Sequence, residues 1–120
     1  MGRLRGDTWE LLCLNLPPAE SLRHDGPAAA VLTQAANAAK ALGDRTRLAV
    51  AAASRAGGEL CVCDPAWVCE RSEKLVSDHA RALRGAGLVA SRRDGRMVFR
   101  ALTDAGRELL DVVLPAQVRR

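Results

Sequence analysis

Four cysteines, Cys13, Cys61, Cys63 and Cys69, carry the widest chemical reach in this 120-residue chain. Two of them stand one residue apart in ELCVCD, Glu59 to Asp64. A C-x-C pair does not readily close an unstrained disulfide. Where a strand bends into a helix, however, both sulfurs can converge on one soft metal ion. Two thiolates do not complete such a site, and a zinc ribbon would need a second cysteine pair that the sequence lacks. Cys13 is the better third ligand, provided that the N-terminal arm folds over, from the same chain or from a partner subunit. Cys69 lies six residues beyond Cys63, which on a helix is about 600° of rotation and turns it largely away. It reads first as a small buried hydrophobe, with a place as an additional metal ligand as the alternative. A metal site, a redox switch pairing Cys61 or Cys63 with Cys13, and plain buried thiols all stay open from these residues. No base accompanies the cysteines and no nucleotide-binding loop is present, so an enzyme is not expected.

The elements that must position these thiols follow from periodicity and caps. Residues 7–16 read as a short helix or arm stopped by Pro17-Pro18, and residues 19–27 as a loop ending in Gly26-Pro27. From Ala28 to Leu42, Val31, Ala35, Ala38, Ala39 and Leu42 keep helical spacing. Asp44 is a suitable N-cap for a helix from Arg45 to Ala56, ended by Gly57-Gly58. A short β-prone LCV follows. Asp64-Pro65 then offers an N-cap with proline at the first helical position, starting a helix of about six residues. Ser72 can cap another helix to about Ala86. Past Gly87, LVASRR-DG-RMVFRAL predicts a hairpin turning at Asp94-Gly95. Thr103 or Asp104 caps a last helix through about Leu114, which Gly106 weakens.

The order helix, helix, short strand, helix, helix, hairpin, helix predicts a mostly helical α+β winged helix-turn-helix, with β-hairpin wing; another small α+β domain is the plainer alternative. In the helix after Ser72, Val76, Ala80, Leu83 and Gly87 share one face and leave Lys74, Ser77, Asp78 and Arg81 outward. Ser72, Lys74, Ser77 and Arg81 are the candidates for phosphates and base edges in a major groove. The hairpin adds Arg92, Arg93, Arg96 and Arg100. The plainer alternative for these arginines is a charged edge hairpin that resists aggregation.

Composition sets the outer bounds. One domain of this length can bury a core without disulfides. Much of its 48% hydrophobic content is alanine, and Trp9, Trp67 and Phe99 are the only aromatics, which favours association through an Ala-rich helix. A net charge of +4 permits an anionic partner without demanding one. No run of about 18 apolar residues exists to span a membrane, and no secretory signal is expected. A cytoplasmic setting is expected, where thiols more often bind metals or react than form disulfides.

With these segments assembled, the chain resembles the ArsR/SmtB family of metal-sensing repressors. KALGDRTRLAV, ELCVCD, SEKLVSDHARALRGAGLV and the wing SRRDGRMVFRAL carry the resemblance, from about Asp7 to Leu114. It is nearest to the cadmium/lead-sensing branch. That branch implies that the C-x-C pair, here Cys61 and Cys63, joins arm cysteines of the other protomer. Cys13 in DTWELLC matches one arm cysteine, while Trp9 occupies the place of a second. The implied site therefore has three thiolates, suited to Pb(II), As(III) or Hg(II) and able to hold Cd(II), with Zn(II) as a further candidate. A second zinc site between C-terminal helices is known in the family. Asp104 matches its first acidic position, but Gly106, Gln117 and Arg120 replace the other ligands, so that site is not expected here. His24 and His79 are expected to be structural. Ala80 stands where the family usually has leucine, and Asp78 adds negative charge near expected phosphates.

The resemblance implies residues 1–27 as an arm and loop carrying a metal ligand, and 28–120 as a DNA-binding and dimerisation domain with terminal dimerisation helices. It implies a homodimer that binds a pseudo-palindromic operator and releases it when a thiophilic metal binds. Cd2+ or Pb2+ is the leading inducer, with As(III), Hg2+ and Zn2+ behind. A thiol redox-switched repressor and a metal buffer without DNA binding are the alternatives.

Overall fold

The computed structural model describes residues 4–5, 8–9 and 16–115. By its contacts the chain divides into two compact units, Met1–Leu32 and Thr33–Arg120. In the first, β1 (Leu4–Arg5) pairs antiparallel with β2 (Thr8–Trp9), and α1 (Leu16–Asp25) follows. Two expectations fail here. A strand occupies 8–9, which contradicts the helical reading of that stretch but not an arm, and residues 19–25 are helical rather than a loop. Pro17-Pro18 starts a helix instead of stopping one. Both prolines lie in the first turn of α1, where backbone N–H groups have no helical acceptor to lose.

The second helix, α2 (Ala29–Ala41), spans the boundary between the units and agrees with the predicted Ala28–Leu42 to within a residue. Its far end anchors it, through buried Ala41 and, just beyond, Leu42. Asp44 then caps α3 (Arg45–Gly57), accepting the Arg47 N–H at 3.0 Å. Strand β3 (Leu60–Cys61) leads into α4 (Cys63–Cys69), which begins earlier than expected. Val62 is the N-cap and makes no side-chain capping bond, so Asp64 lies inside the first turn instead of capping it. Pro65 still fits, because the third helical position also lacks an acceptor for its N–H.

The remainder follows the predicted order. Ser72 caps α5 (Glu73–Gly85) by accepting the Leu75 N–H at 3.1 Å. Strands β4 (Val89–Asp94) and β5 (Met97–Leu102) form the hairpin. Asp94 pairs with Met97, so the turn residues are Gly95-Arg96, one position later than predicted. Gly95 takes φ 61, which glycine adopts without steric cost. The sheet order is β3-β5-β4, all antiparallel, so the cysteine-bearing strand is the third strand of the wing. Thr103 caps α6 (Asp104–Val113), accepting the Gly106 N–H at 3.0 Å and donating to the Gly87 carbonyl at 2.7 Å.

One core sits among α3, α5, α6 and the sheet. Val50 and Ala51 meet Val76, Leu83, Leu88, Leu102 and Leu110, and Leu83 and Leu110 are fully buried. Val76, Ala80 and Leu83 are the buried face of α5, as the helical period predicts, whereas Gly87, expected on the same face, lies beyond the helix end and is exposed. The architecture is α+β and mostly helical: α4 and α5 form a helix-turn-helix, and β4–β5 form its wing. Among the described residues, no helix is long and apolar enough to cross a membrane.

Candidate metal centre and nucleic-acid interface

The strand-to-helix bend at Val62 brings the C-x-C thiols together. Cys61 Sγ and Cys63 Sγ are 2.6 Å apart, and Cys61 Sγ lies 3.7 Å from Asp64 Oδ2. All three donor atoms fall within 4.8 Å of one another, with Cys61 half-buried and the other two exposed. The Cys63 thiol is pushed above its ordinary range, first by its hydrogen bond with Cys61, then by burial and by the nearby Cys61 and Asp64 charges. It is a protonated thiol at neutral pH rather than an activated nucleophile.

The donor set suits a soft or borderline cation: two thiols that become thiolates on binding, with one carboxylate oxygen. With Zn–S bonds of about 2.3 Å, a tetrahedral ion would hold two sulfurs about 3.8 Å apart. The present 2.6 Å separation must widen by about an ångström for such an ion. Because Cys63 reaches solvent, a side-chain rotation can supply much of that change. The residues present therefore fit a thiophilic metal.

Asp64 is the member that sequence reading missed, because it was assigned to a cap. Its adjacency to the pair in ELCVCD was the available signal. Cys69, in contrast, stands apart from this cluster: it is half-buried against the core, and burial pushes its thiol up. Cys13 lies outside the described residues.

The predicted DNA-facing residues occupy distinct environments. Ser72 Oγ is engaged by its cap and Ser77 is half-buried. Lys74 and Arg81 remain exposed and flank Asp78, at 3.4 and 3.2 Å. Surface pairs of this kind are weak and exchange readily for phosphate. Asp78 therefore lies between two cations rather than standing as an unopposed negative charge. Arg93 and Arg96 are exposed, with no ion pair among the described residues.

Arg92 is held differently. Its Nε and Nη2 donate to both carboxylate oxygens of Glu59, the shortest contact being 2.6 Å. Its guanidinium also lies 5.0 Å over the Phe99 ring. Hydrogen bonding to Arg92 lowers the Glu59 carboxyl below its ordinary range. His79 is not a member of the Cys61–Cys63–Asp64 cluster. His79 Nδ1 accepts the Arg47 Nε–H at 3.1 Å, tying α5 to α3, and His24 lies in the last turn of α1. Of the C-terminal positions, Asp104 is fully exposed, Gly106 is buried, and Gln117 and Arg120 lie outside the described residues.

An open groove of about 350 Å³ joins the two halves of this surface. Cys61 and Cys63 line it together with Ser77 of α5 and Arg96 and Arg100 of the wing.

No family model matches the chain. Among curated proteins it is 42% identical over 65 residues to a cadmium resistance transcriptional regulatory protein, a CadC homologue of Staphylococcus aureus, covering 54% of each chain. It is 33% identical over 81 residues to the arsenic resistance transcriptional regulator ArsR2 of Pseudomonas putida, covering 64% of this chain and 70% of that one. The chain thus spans about half the length of the first of these relatives. Among solved structures it is similar to a homodimeric winged helix-turn-helix DNA-binding domain of Mycobacterium bovis, from a possible ArsR-family regulator. That likeness has a TM-score of 0.66 at 29% identity and covers 74% of this chain and 85% of that one.

Proposed function

Because this chain belongs to the ArsR/SmtB family of winged-helix transcriptional regulators, we propose that it is a metal-responsive repressor and not an enzyme. Two copies place their α5 helices in successive major grooves of a pseudo-palindromic operator, and a thiophilic metal ion is the signal for release. The observation that carries this reading is the donor cluster Cys61, Cys63 and Asp64 on the joint between the wing sheet and the helix-turn-helix. Cys61 and Cys63 are the primary ligands. Cys13 is the third thiol and Asp64 an oxygen donor, while Cys69 stays with the core.

Two thiols and a carboxylate favour Cd2+ or Pb2+, with Zn2+, Hg2+ and As(III) as competitors. Recruitment of Cys13 favours ions that accept three sulfurs. The DNA-facing set is Lys74, Ser77 and Arg81 on α5 with Arg93 and Arg96 on the wing. Ser72 orders the start of α5, and Arg92 orders the wing through Glu59. Exposed apolar side chains on α2 (Val31 and Leu32) and on α6 (Val112 and Val113) supply surface for dimerisation through terminal helices.

The domain boundary follows the same division, with the arm and loop of residues 1–27 bringing a ligand and residues 28–120 binding DNA and the partner subunit. A cytoplasmic location accords with a regulator of this kind.

Metal-linked release must be reciprocal, so operator DNA weakens metal affinity by the factor with which metal weakens DNA affinity. The test titrates reduced protein with Cd(II), Pb(II) and As(III) while thiolate-to-metal absorption and operator binding are followed together. Wild-type protein should leave the operator as the absorption grows, and a Cys61→Ser/Cys63→Ser variant should stay bound. A double variant that still leaves DNA on metal addition would refute the assignment of the site.

A further inference from the structure

The wing is charged around its turn, with Arg92, Arg93, Asp94 and Arg96, yet the next side chain, Met97, is large, apolar and 47% exposed. Met97 is not among the residues packed against the core, so burial does not account for it. Its place in the sheet is fixed by register. Cys61 pairs with Phe99 on β5, and Met97 is two residues from Phe99 on that strand. Side chains alternate along a strand, so Cys61, Phe99 and Met97 share one face of the sheet. Arg92, which pairs with Phe99 and lies over its ring, marks the same face.

Diagonal neighbours such as Cys61 and Met97 are about 7–8 Å apart in a sheet, within reach of a long side chain. Carried two pairs further, the β3–β5 register would set Cys63 opposite Met97. The chain bends at Val62 instead, which folds the Cys63 thiol back to 2.6 Å from Cys61. Cys61, Cys63 and Met97 line one open groove of about 350 Å³, and Cys63 and Met97 both reach solvent. Methionine has three rotatable bonds and a polarizable thioether, so its Sδ can approach the thiols without movement of the strand.

We infer that Met97 Sδ is a third sulfur ligand of the Cys61–Cys63 site, and that the site thereby takes soft monovalent cations, Cu(I) and Ag(I). This rests on the reading above that both cysteines bind metal, and it adds a residue and an ion class absent from that reading. Two thiolates already exceed the charge of a monovalent ion. What such an ion gains from a third donor is polarizable sulfur without further negative charge, which a thioether supplies. Asp64 offers the opposite, a hard anionic oxygen that suits a divalent ion. The bend at Val62 thus has a carboxylate on its α4 side and a thioether on its wing side.

Ag(I) is the probe, because it is diamagnetic and does not change oxidation state with thiols. The reduced full chain is labelled with 13C at the methionine methyl groups. The sequence has two methionines, Met1 and Met97. Met97→Leu, an apolar exchange of similar volume, assigns both resonances. On titration with Ag(I), the Met97 methyl resonance should move in step with thiolate-to-metal absorption. In Cys61→Ser/Cys63→Ser it should stay in place at the same Ag(I) concentrations. In competition with a chelator, Met97→Leu should hold Ag(I) at least about tenfold more weakly, the lower end of what losing a supporting contact costs a metal site. Its Cd(II) affinity should stay within about twofold of wild type, since a borderline divalent ion gains less from a neutral thioether.

An unmoved Met97 resonance while thiolate absorption grows would overturn the thioether ligand and leave the cysteine site standing. So would a Met97→Leu protein that holds Ag(I) as tightly as wild type. Equal losses for Ag(I) and Cd(II) would mark Met97 as a support of the groove and overturn it as a ligand. Movement of the resonance in the double cysteine variant would overturn a shared site. If wild type gives no thiolate absorption with either ion, the cysteine site itself fails and the thioether ligand falls with it.

Discussion

Gly106 and Gly85 are both helical glycines, and the same substitution should move stability in opposite directions at the two positions. Exchanging glycine for alanine inside a helix ordinarily gains up to about 1 kcal/mol, because alanine loses less backbone freedom. At Gly85, the last residue of α5, an added Cβ meets nothing within 4 Å, so Gly85→Ala should stabilise by about 0.4–1 kcal/mol. At Gly106 the added Cβ would overlap the Leu88 carbonyl, a backbone group that no rotamer change can clear. The Leu88 carbonyl accepts the Thr103 N–H at 3.0 Å, and the Leu88 N–H donates to Leu83 at 3.0 Å. Moving it therefore disturbs the junction between α5, β4 and α6. Overpacking costs about 1–3 kcal/mol, and a rigid backbone obstacle belongs at the upper end. Set against the propensity gain, Gly106→Ala should destabilise by about 2 kcal/mol. With an unfolding entropy of about 2.1 cal/mol/K per residue over 120 residues, that lowers Tm by about 8 °C. Thermal and urea unfolding of wild type and both variants at fixed protein concentration measure it. A Gly106→Ala protein as stable as wild type, or stabilised like Gly85→Ala, would refute the close approach of α6 to Leu88.

Two further outcomes follow from the caps and the wing. Asp44→Ala removes the side-chain acceptor of the Arg47 N–H, and loss of such an N-cap costs about 1 kcal/mol. Urea midpoints should fall while the slope of the unfolding transition stays the same. The Glu59 carboxyl has its pKa lowered in the folded state by Arg92, so the protein binds fewer protons there than the unfolded chain does. Its contribution is present above the ordinary carboxylate pKa of 4.5 and is lost as pH falls through the lower, folded value. Glu59→Gln should remove that acid-side loss and leave a flatter stability profile between about pH 5 and 3. An unchanged profile in the variant would show that the pair does not persist in solution.

The parts of this fold that were legible in the sequence are those fixed by local chemistry. Asp44, Ser72 and Thr103 cap the helices they precede, and a 3.6-residue period selects Val76, Ala80 and Leu83 for burial. Where a local signal had two meanings, the reading failed. Pro17-Pro18 stops a helix that precedes it and starts one that follows, and only the chain beyond decides between them. Asp64-Pro65 looked like a cap with its first residue, yet the bend at Val62 let the helix begin two residues sooner. The C-x-C pair was legible because its members are adjacent. The Glu59–Arg92 pair was not, since 33 residues separate its members and only the β3-β5-β4 order makes them neighbours. Four arginines close in sequence looked equivalent; register gives one to Glu59, turns one inward beside Ser91, and leaves two exposed.

That same register bears on how a change at the thiols would reach α5 and the wing. Cys61 pairs with Phe99, and Phe99 pairs with Arg92, whose side chain returns to Glu59 two residues before Cys61. The strand side of the thiol pair is thus tied into the wing by a ladder and a bidentate ion pair. The other side has no such side-chain tie, although Pro65 and Ala66 seat α4 in the core. Cys63 opens a seven-residue helix whose N-cap, Val62, makes no side-chain bond, and short helices depend on such support. Whatever part of the widening from 2.6 Å to about 3.8 Å side-chain rotation does not supply displaces one side, and the side without a cap or ion pair is α4. Since α4 is followed after three residues by α5, its displacement bears directly on α5, whereas the wing keeps its shape. Removing the Glu59 carboxylate should therefore transfer part of that displacement to the wing. Amide exchange in β4 and β5 on metal addition should accelerate in Glu59→Gln and remain nearly constant in wild type. Equal acceleration in both proteins would mean that the strand, and not α4, is the side that yields.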